Sequence, residues 1–277
     1  AKVSQVWLFK TGAGDHPTLP MVLLHVYLRP YLNDYIALLE HSFSEIGQQP
    51  PNWISNGDNP AKPGELATRL RYLFYRYPEL QHTINTLTDL EPDPIIRDAL
   101  QSWSYALTRG DSIVLNLYGP ARSVDTAPIH TLLRSDADKQ EGKAVFVGFS
   151  EILQPEQKDG FYTSFTGEDG VDISGVELMA TTFSNLLERE AIQPLEGWQK
   201  ALLIVILGFL ITVCLFSSGT LGALVVASLF AIGWASLATW LFATHFLWIP
   251  VTTILLFQLP AALLAALGLT VGGGQKE

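Results

Sequence analysis

The pattern of apolar and polar positions divides the chain into two parts. From Ala201 to Gln275 there is no Asp, Glu, Lys or Arg, and every charged residue of the chain except Lys276 and Glu277 precedes that stretch. A bilayer-spanning helix takes about 20 mostly apolar residues, so the stretch has room for three. The pattern predicts a water-soluble domain, residues 1–197, joined to a membrane bundle, residues 198–271.

Two polar breaks, Ser217-Ser218-Gly219-Thr220 and Thr244-His245, divide the apolar part into spans at about 201–216, 221–241 and 246–269. Trp198 and Lys200 stand where the first span begins, as expected at a bilayer interface. Pro250 and Pro260 would kink or unwind the third span, which a bundle tolerates where neighbours satisfy the freed backbone groups. Two spans and an interfacial segment is the other reading. Gly222, Ala223, Ala227, Ala231 and Gly233 permit close helix approach along the second span. His245 reads as a buried ionisable group or as an interfacial turn residue beside Trp240 and Trp248. Three spans put the soluble domain and Glu277 on opposite sides. The inter-span turns carry no Lys or Arg, so charge does not orient the bundle. Gly272 to Glu277 reads as a flexible exit into a further segment.

In the soluble part, Val3 to Phe9 and Val22 to Leu28 are β-rich runs. Thr11-Gly12-Ala13-Gly14 between them lacks the third glycine of a dinucleotide loop and reads as a plain turn. From Tyr31 the period becomes helical, with Leu32, Tyr35, Ile36, Leu39, Phe43 and Ile46 on one face, and Gly47 ends the helix. Gln48 to Gly64 is a loop around Trp53, a solvated insertion or a lid. Helical patterns resume at Glu65–Tyr77 and Asp93–Leu107.

Ser112 to Tyr118 alternates, with Ile113, Leu115 and Leu117 on one side. Ala144 to Val147 is continuously apolar, as in a strand covered on both faces. The spacing between them, with a helical turn near Ile129–Arg134, suits a parallel crossover or an antiparallel return. Ser174-Gly175-Val176-Glu177 has the capping-box pattern and opens a helix with Val176, Met179, Ala180, Phe183, Leu186 and Leu187 on one face. That helix ends near Arg189, a short linker (Ala191–Gln199) from the membrane.

Net charge is −10, and no Lys/Arg cluster interrupts the acidic surface, which argues against nucleic acid as a partner. Cys214 is the single cysteine, so no internal disulfide forms, and zinc spacings are absent. The chain begins at Ala1 without a signal segment, which reads either as a removed leader or, by preference, as a piece of a longer protein. No nucleophile elbow, P-loop, metal pair or kinase signature occurs, so neither catalytic residues nor a cofactor or metal site is expected. Glu168-Asp169 reads as a solvated pair. Asp159 follows a buried strand, where α/β sheets bind ligands. It either holds a ligand, with Phe149, Ser150, Tyr162 and Phe165 beside it, or caps a turn.

Asp111-Ser-Ile-Val-Leu-Asn-Leu-Tyr-Gly-Pro120, Gly142-Lys-Ala-Val-Phe-Val-Gly-Phe-Ser150, Asp159 and Ser174-Gly-Val-Glu-Leu-Met-Ala180, in that order, resemble the second half of the CHASE2 family. These are extracytoplasmic sensor domains of bacterial receptors, with three membrane helices close behind. The resemblance covers about Asp111–Leu269. Ser174 stands for the family's usual proline and Met179 for its histidine, while residues 1–110 match only loosely and lack the family's early strands. It implies an α/β sensor domain followed by an all-α three-helix transmembrane bundle, the soluble domain periplasmic and the C-terminus cytoplasmic. The chain would be a non-enzymatic part of a sensory receptor. It would bind a small-molecule or protein stimulus, with Ser174, Gly175 and Glu177 on the signal-transmitting helix. A homodimer in the lipid bilayer is the expected assembly. An output module beyond Glu277 would be a nucleotide cyclase such as adenylate cyclase, a histidine kinase, a diguanylate cyclase or a protein kinase. The alternative is a non-signalling scaffold or accessory subunit that binds a partner through its soluble domain.

Overall fold

The computed structural model describes residues 2–55, 62–132, 142–150, 159–166 and 171–273. The chain forms two compact units, Ala1–Ala191 and Ile192–Glu277. Glu168, Asp169, Arg134 and the end of the expected exit, residues 274–277, lie outside the described residues, as does part of the loop around Trp53.

The first unit is mainly helical. It opens with three short strands, β1 (Gln5–Trp7), β2 (Phe9–Lys10) and β3 (His16–Pro17). Between β2 and β3, Thr11–Ala13 forms one 3-10 turn that Gly14 closes in the left-handed region (φ +79°), the plain turn expected there. The run from Val22 to Leu28, expected as a strand, lies almost wholly within α1 (Leu19–Tyr27). A short apolar run does not reveal its period. Here Pro20 sits in the first turn, where its missing N–H costs nothing. Met21, Leu24 and Leu28 then fall on one helical face and are all buried.

The next helices are α2 (Leu32–Glu45), α3 (Asn52–Ser55), α4 (Pro63–Arg76), α5 (Glu79–Asp89) and α6 (Pro94–Thr108). α2, α4 and α6 lie where helical patterns were expected. α5 was not foreseen, although Leu80, Ile84 and Thr88 give it a buried stripe. Past α2 the chain turns at Gly47 (φ +68°), whose N–H donates to the Ser44 carbonyl at 3.0 Å while the Gln48 N–H reaches Phe43 at 2.9 Å. The Asp93 side chain accepts the Ile95 N–H at 2.8 Å and caps α6.

At the centre Trp103 stacks on Tyr35, with ring centroids 4.9 Å apart and an interplanar angle of 15°. Its indole N–H donates to His25 Nδ1 at 2.8 Å. His25 is 2% exposed, and burial lowers its pKa to about 3. It is a neutral core histidine.

Strand β4 (Ser112–Val114) pairs antiparallel with β1, Val6 opposite Ile113. Among the described residues, neither the parallel crossover nor the antiparallel return expected between Ser112–Tyr118 and Ala144–Val147 is seen. Residues 142–150 carry no regular strand, and Val145 and Val147 are 49% and 70% exposed, while Phe146 turns inward against Phe183. An apolar run alone cannot distinguish burial on both faces from burial on one. After the short α7 (Ile129–Leu132), β5 (Gly160–Phe161) and β6 (Ile173–Ser174) make another antiparallel pair, and α8 (Gly175–Leu187) follows directly. Among the described residues the sheets are all two-stranded. Among those residues the unit expected to be α/β is thus mainly helical, with small β ladders.

The second unit begins with β7 (Gln193–Pro194), then α9 (Gly197–Ser217) and α10 (Gly219–His245), joined by a tight turn at Ser218. A reciprocal capping box of Glu196 and Gln199 starts α9. The two helices are about 32 Å and about 40 Å long at 1.5 Å per residue, enough for a hydrocarbon core of about 30 Å. Both are long and apolar enough to cross a membrane. The expected third span starts later than its sequence suggested. Phe246 (φ +52°) ends α10, and β8 (Leu247–Trp248) then pairs in parallel with β7, so Pro250 precedes the helix instead of kinking it. The helical stretch that follows is a π turn over Thr253–Gln258 continued by α11 (Leu259–Gly273). The π turn lies just before Pro260, which has no N–H to give the turn behind it. Trp234, Ile254, Leu259 and Ala266 pack inside, while Phe209, Leu221, Leu229 and Ile232 face outward.

Candidate functional site

Helix α8 is where the motifs singled out in the sequence meet. Its N-cap, Ser174, accepts the Glu177 N–H at 3.4 Å. The reciprocal half of the expected capping box is absent: the buried Glu177 carboxylate accepts the Arg122 N–H at 2.5 Å instead. Glu177 therefore holds the turn that follows Gly119-Pro120 rather than its own helix start.

Two further segments close on the same first turn. Through the β5–β6 pair the Asp159 carbonyl accepts the Gly175 N–H at 3.0 Å, and the Asp159 carboxylate lies where a Cβ on Gly175 would have to be. Gly148 lies against Val176, and a Cβ there would stand 2.6 Å from the Val176 Cβ. Both glycines permit close backbone approach, a reason the sequence pattern did not supply. A carboxylate at a helix N-terminus is electrostatically favourable, so the position of Asp159 also closes the helix end.

The last turn of α8 is tied to the chain just past β4 at Asn116. The Asn185 side chain is fully buried; its Oδ1 accepts the Asn116 N–H at 2.8 Å and its Nδ2 donates to the Asn116 carbonyl at 3.1 Å. Tyr118 extends the network, donating to Ser184 Oγ at 3.1 Å or to Glu190 Oε2 at 3.2 Å, and burial raises its pKa. At the C-terminal end Arg189 takes a left-handed conformation (φ +61°). Its guanidinium bonds the Asp98 carbonyl at 3.1 Å, the Asp98 carboxylate at 3.2 Å and Ser102 Oγ at 2.9 Å on α6. Asn185 and Arg189 were not foreseen, because polar residues late in a helix read as solvent-facing. The Asn116-x-x-Gly119-Pro120 motif was the available signal for Asn185.

Of the residues expected to bind a ligand, Asp159 and the segment leading to Phe149 and Ser150 converge on the start of α8. Phe149, Tyr162 and Phe165 are all about half exposed. Tyr162 lies beneath the Lys2 ammonium, 5.5 Å from its ring centroid, and Phe165 stands at the tip of a turn held by Thr163 and Thr166. No group of His, Cys, Asp or Glu among the described residues is arranged to hold a metal ion.

The profile of the CHASE2 domain matches residues 11–215. The chain belongs to the CHASE2 family. CHASE2 domains are extracytoplasmic sensor domains of signalling receptors. The match takes in α1 to α6, so the first half, where the resemblance is loose, is part of the domain. It ends within α9, before the later apolar helices that the resemblance had included. No curated protein and no solved structure matches the chain. In this CHASE2 chain, the family motifs are the contacts that fasten α8 along its length.

Proposed function

We propose that this CHASE2 chain is the sensing and transmitting part of a membrane receptor. The extracytoplasmic unit takes up a stimulus, and three membrane passages carry a shift to an output module beyond Glu277. That module would be a nucleotide cyclase, a histidine kinase, a diguanylate cyclase or a protein kinase. The observation that supports this most is the fastening of α8. Its first turn holds Asp159 and Gly148, its flank holds Asn116, and only a short connection separates Leu187 from Gln193 of β7.

A stimulus shifts a receptor only if it favours one of two arrangements. A small molecule or protein that contacts Asp159, Phe149, Ser150 or Tyr162 would bear on the first turn of α8. Ser174, Gly175 and Glu177 would then carry the shift along the helix. Within the second unit, Gln193 N–H donates to the Phe246 carbonyl at 2.7 Å. The incoming strand thus holds the turn before the last helical stretch as well as leading into α9. A homodimer is the natural assembly for such a receptor, and the chain itself carries no enzymatic role in this reading.

Topology tests it. A reporter active only outside the cytoplasm, inserted near Ser150, should be active, and the same reporter fused after Glu277 should be silent. The reverse pattern, or activity at both positions, would sink the three-pass orientation.

A further inference from the structure

Within the second unit, two buried polar atoms of opposite kind have no partner: the Trp234 indole Nε1, which can only donate, and the Gln258 Oε1, which can only accept. The other end of the Gln258 amide is used, since its Nε2 donates to the Ile204 carbonyl of α9 at 2.8 Å. Gly208 makes room for it; a Cβ there would stand 2.8 Å from that nitrogen. Gln258 ends the π turn, and Pro260 just beyond it has no N–H for the preceding turn.

By residue count, the two residues that carry these atoms lie at nearly one level of the bundle. Counted outward from the turn at Ser218, Trp234 on α10 is level with Leu202 on α9, about half a turn from Ile204. Trp234 belongs to the same buried cluster as Ile254 and Leu259, which flank Gln258 along the last helical stretch. An unmet donor and acceptor in an apolar interior are costly, and buried groups of this kind are commonly met by ordered water.

We propose that Trp234 and Gln258 are the walls of a seat for one water molecule inside the bundle. The water oxygen accepts the Trp234 N–H, and one of its hydrogens is donated to Gln258 Oε1. The other goes to a main-chain carbonyl that Pro260 leaves without an N–H. The result is a relay across all three helical stretches, α9 through Ile204, α10 through Trp234 and the last through Gln258. Rotation of the last stretch then requires breaking polar bonds rather than sliding apolar surfaces. The inference rests on the membrane-bundle reading proposed above.

The test uses the full chain in detergent micelles with 15N-labelled tryptophan. The Trp234 indole signal is assigned by its loss in Trp234→Phe. It should have the shift of a hydrogen-bonded indole, exchange magnetisation with water, and move in Gln258→Leu while the signals of the other tryptophans stay in place. Gln258→Met, closer in length, repeats the readout if the leucine variant fails to fold. An indole signal typical of an unbonded N–H, without a water cross-peak or unmoved by both variants, overturns the proposal. Denaturant unfolding of the two single variants and the double variant gives a second reading. The double variant should change the unfolding constant roughly threefold to tenfold less than the product of the singles; a simple product counts against the seat. A chain that stays in solution without detergent would defeat the membrane reading itself, whereas a micelle-bound chain with an unmoved indole defeats only the water seat.

Discussion

Asn185 on α8 holds the main chain of Asn116 with both ends of its amide, at 2.8 Å and 3.1 Å, with no solvent access. The amide side chain completes the hydrogen bonding that a neighbouring strand would otherwise provide. Among the described residues the chain past β4 pairs with no strand at that point, and α8 serves in place of one.

Asn185→Leu should therefore destabilise the first unit by about 2–4 kcal/mol, since it leaves a buried N–H and a buried carbonyl unmet. Asn185→Asp keeps the acceptor and loses the donor, and should fall between the two. Denaturant unfolding of the full chain in detergent, followed by tryptophan fluorescence, measures both. A leucine variant as stable as the parent would show that the clamp carries no stability.

Gly175→Ala should cost about 1–3 kcal/mol, because its Cβ would run into the Asp159 carboxylate. Asp159→Gly in the same chain should recover most of that loss by removing the obstructing group. Thermal unfolding of the two singles and the double tests it. Equal, additive losses would mean that the two residues do not press on each other.

Acid should weaken the first unit through His25. Its pKa is lowered from 6.5 to about 3 by burial, so between those values the unfolded chain binds a proton that the folded chain refuses. Stability is thus full above pH 6.5 and falls as the pH drops, by about 2 kcal/mol at pH 5. His25→Gln, which retains an acceptor for the Trp103 N–H, should flatten that part of the profile. Unfolding free energies between pH 7.5 and pH 5 decide the matter; an unchanged slope in the variant would assign the effect elsewhere.

The start and extent of α8, the α2 face from Leu32 to Ile46 and the apolar stretch after Ala201 were legible in the sequence. Each rests on a repeating pattern long enough to declare its own period. The buried side of α8, however, runs through Leu178, Thr181, Thr182 and Asn185 and shares only Phe183 and Leu186 with the expected face. Short apolar runs were not legible. Val22 to Leu28 is helical because Met21, Leu24 and Leu28 face the core around Trp103, and of Ala144 to Val147 only Phe146 turns inward. Neither outcome is encoded locally.

The sequence by itself determined where charge stops, which segments repeat with a helical period, and that an ordered series of family motifs leads into α8. Those properties depend on residues near one another along the chain. Only the tertiary structure decided what the motifs touch: Glu177 holding Arg122 rather than its own helix start, Gly175 lying beneath Asp159, and Asn185 clasping Asn116. Each of these joins residues distant in sequence or across a close backbone approach. Such contacts are selected by the whole fold, which must satisfy every buried polar group at once.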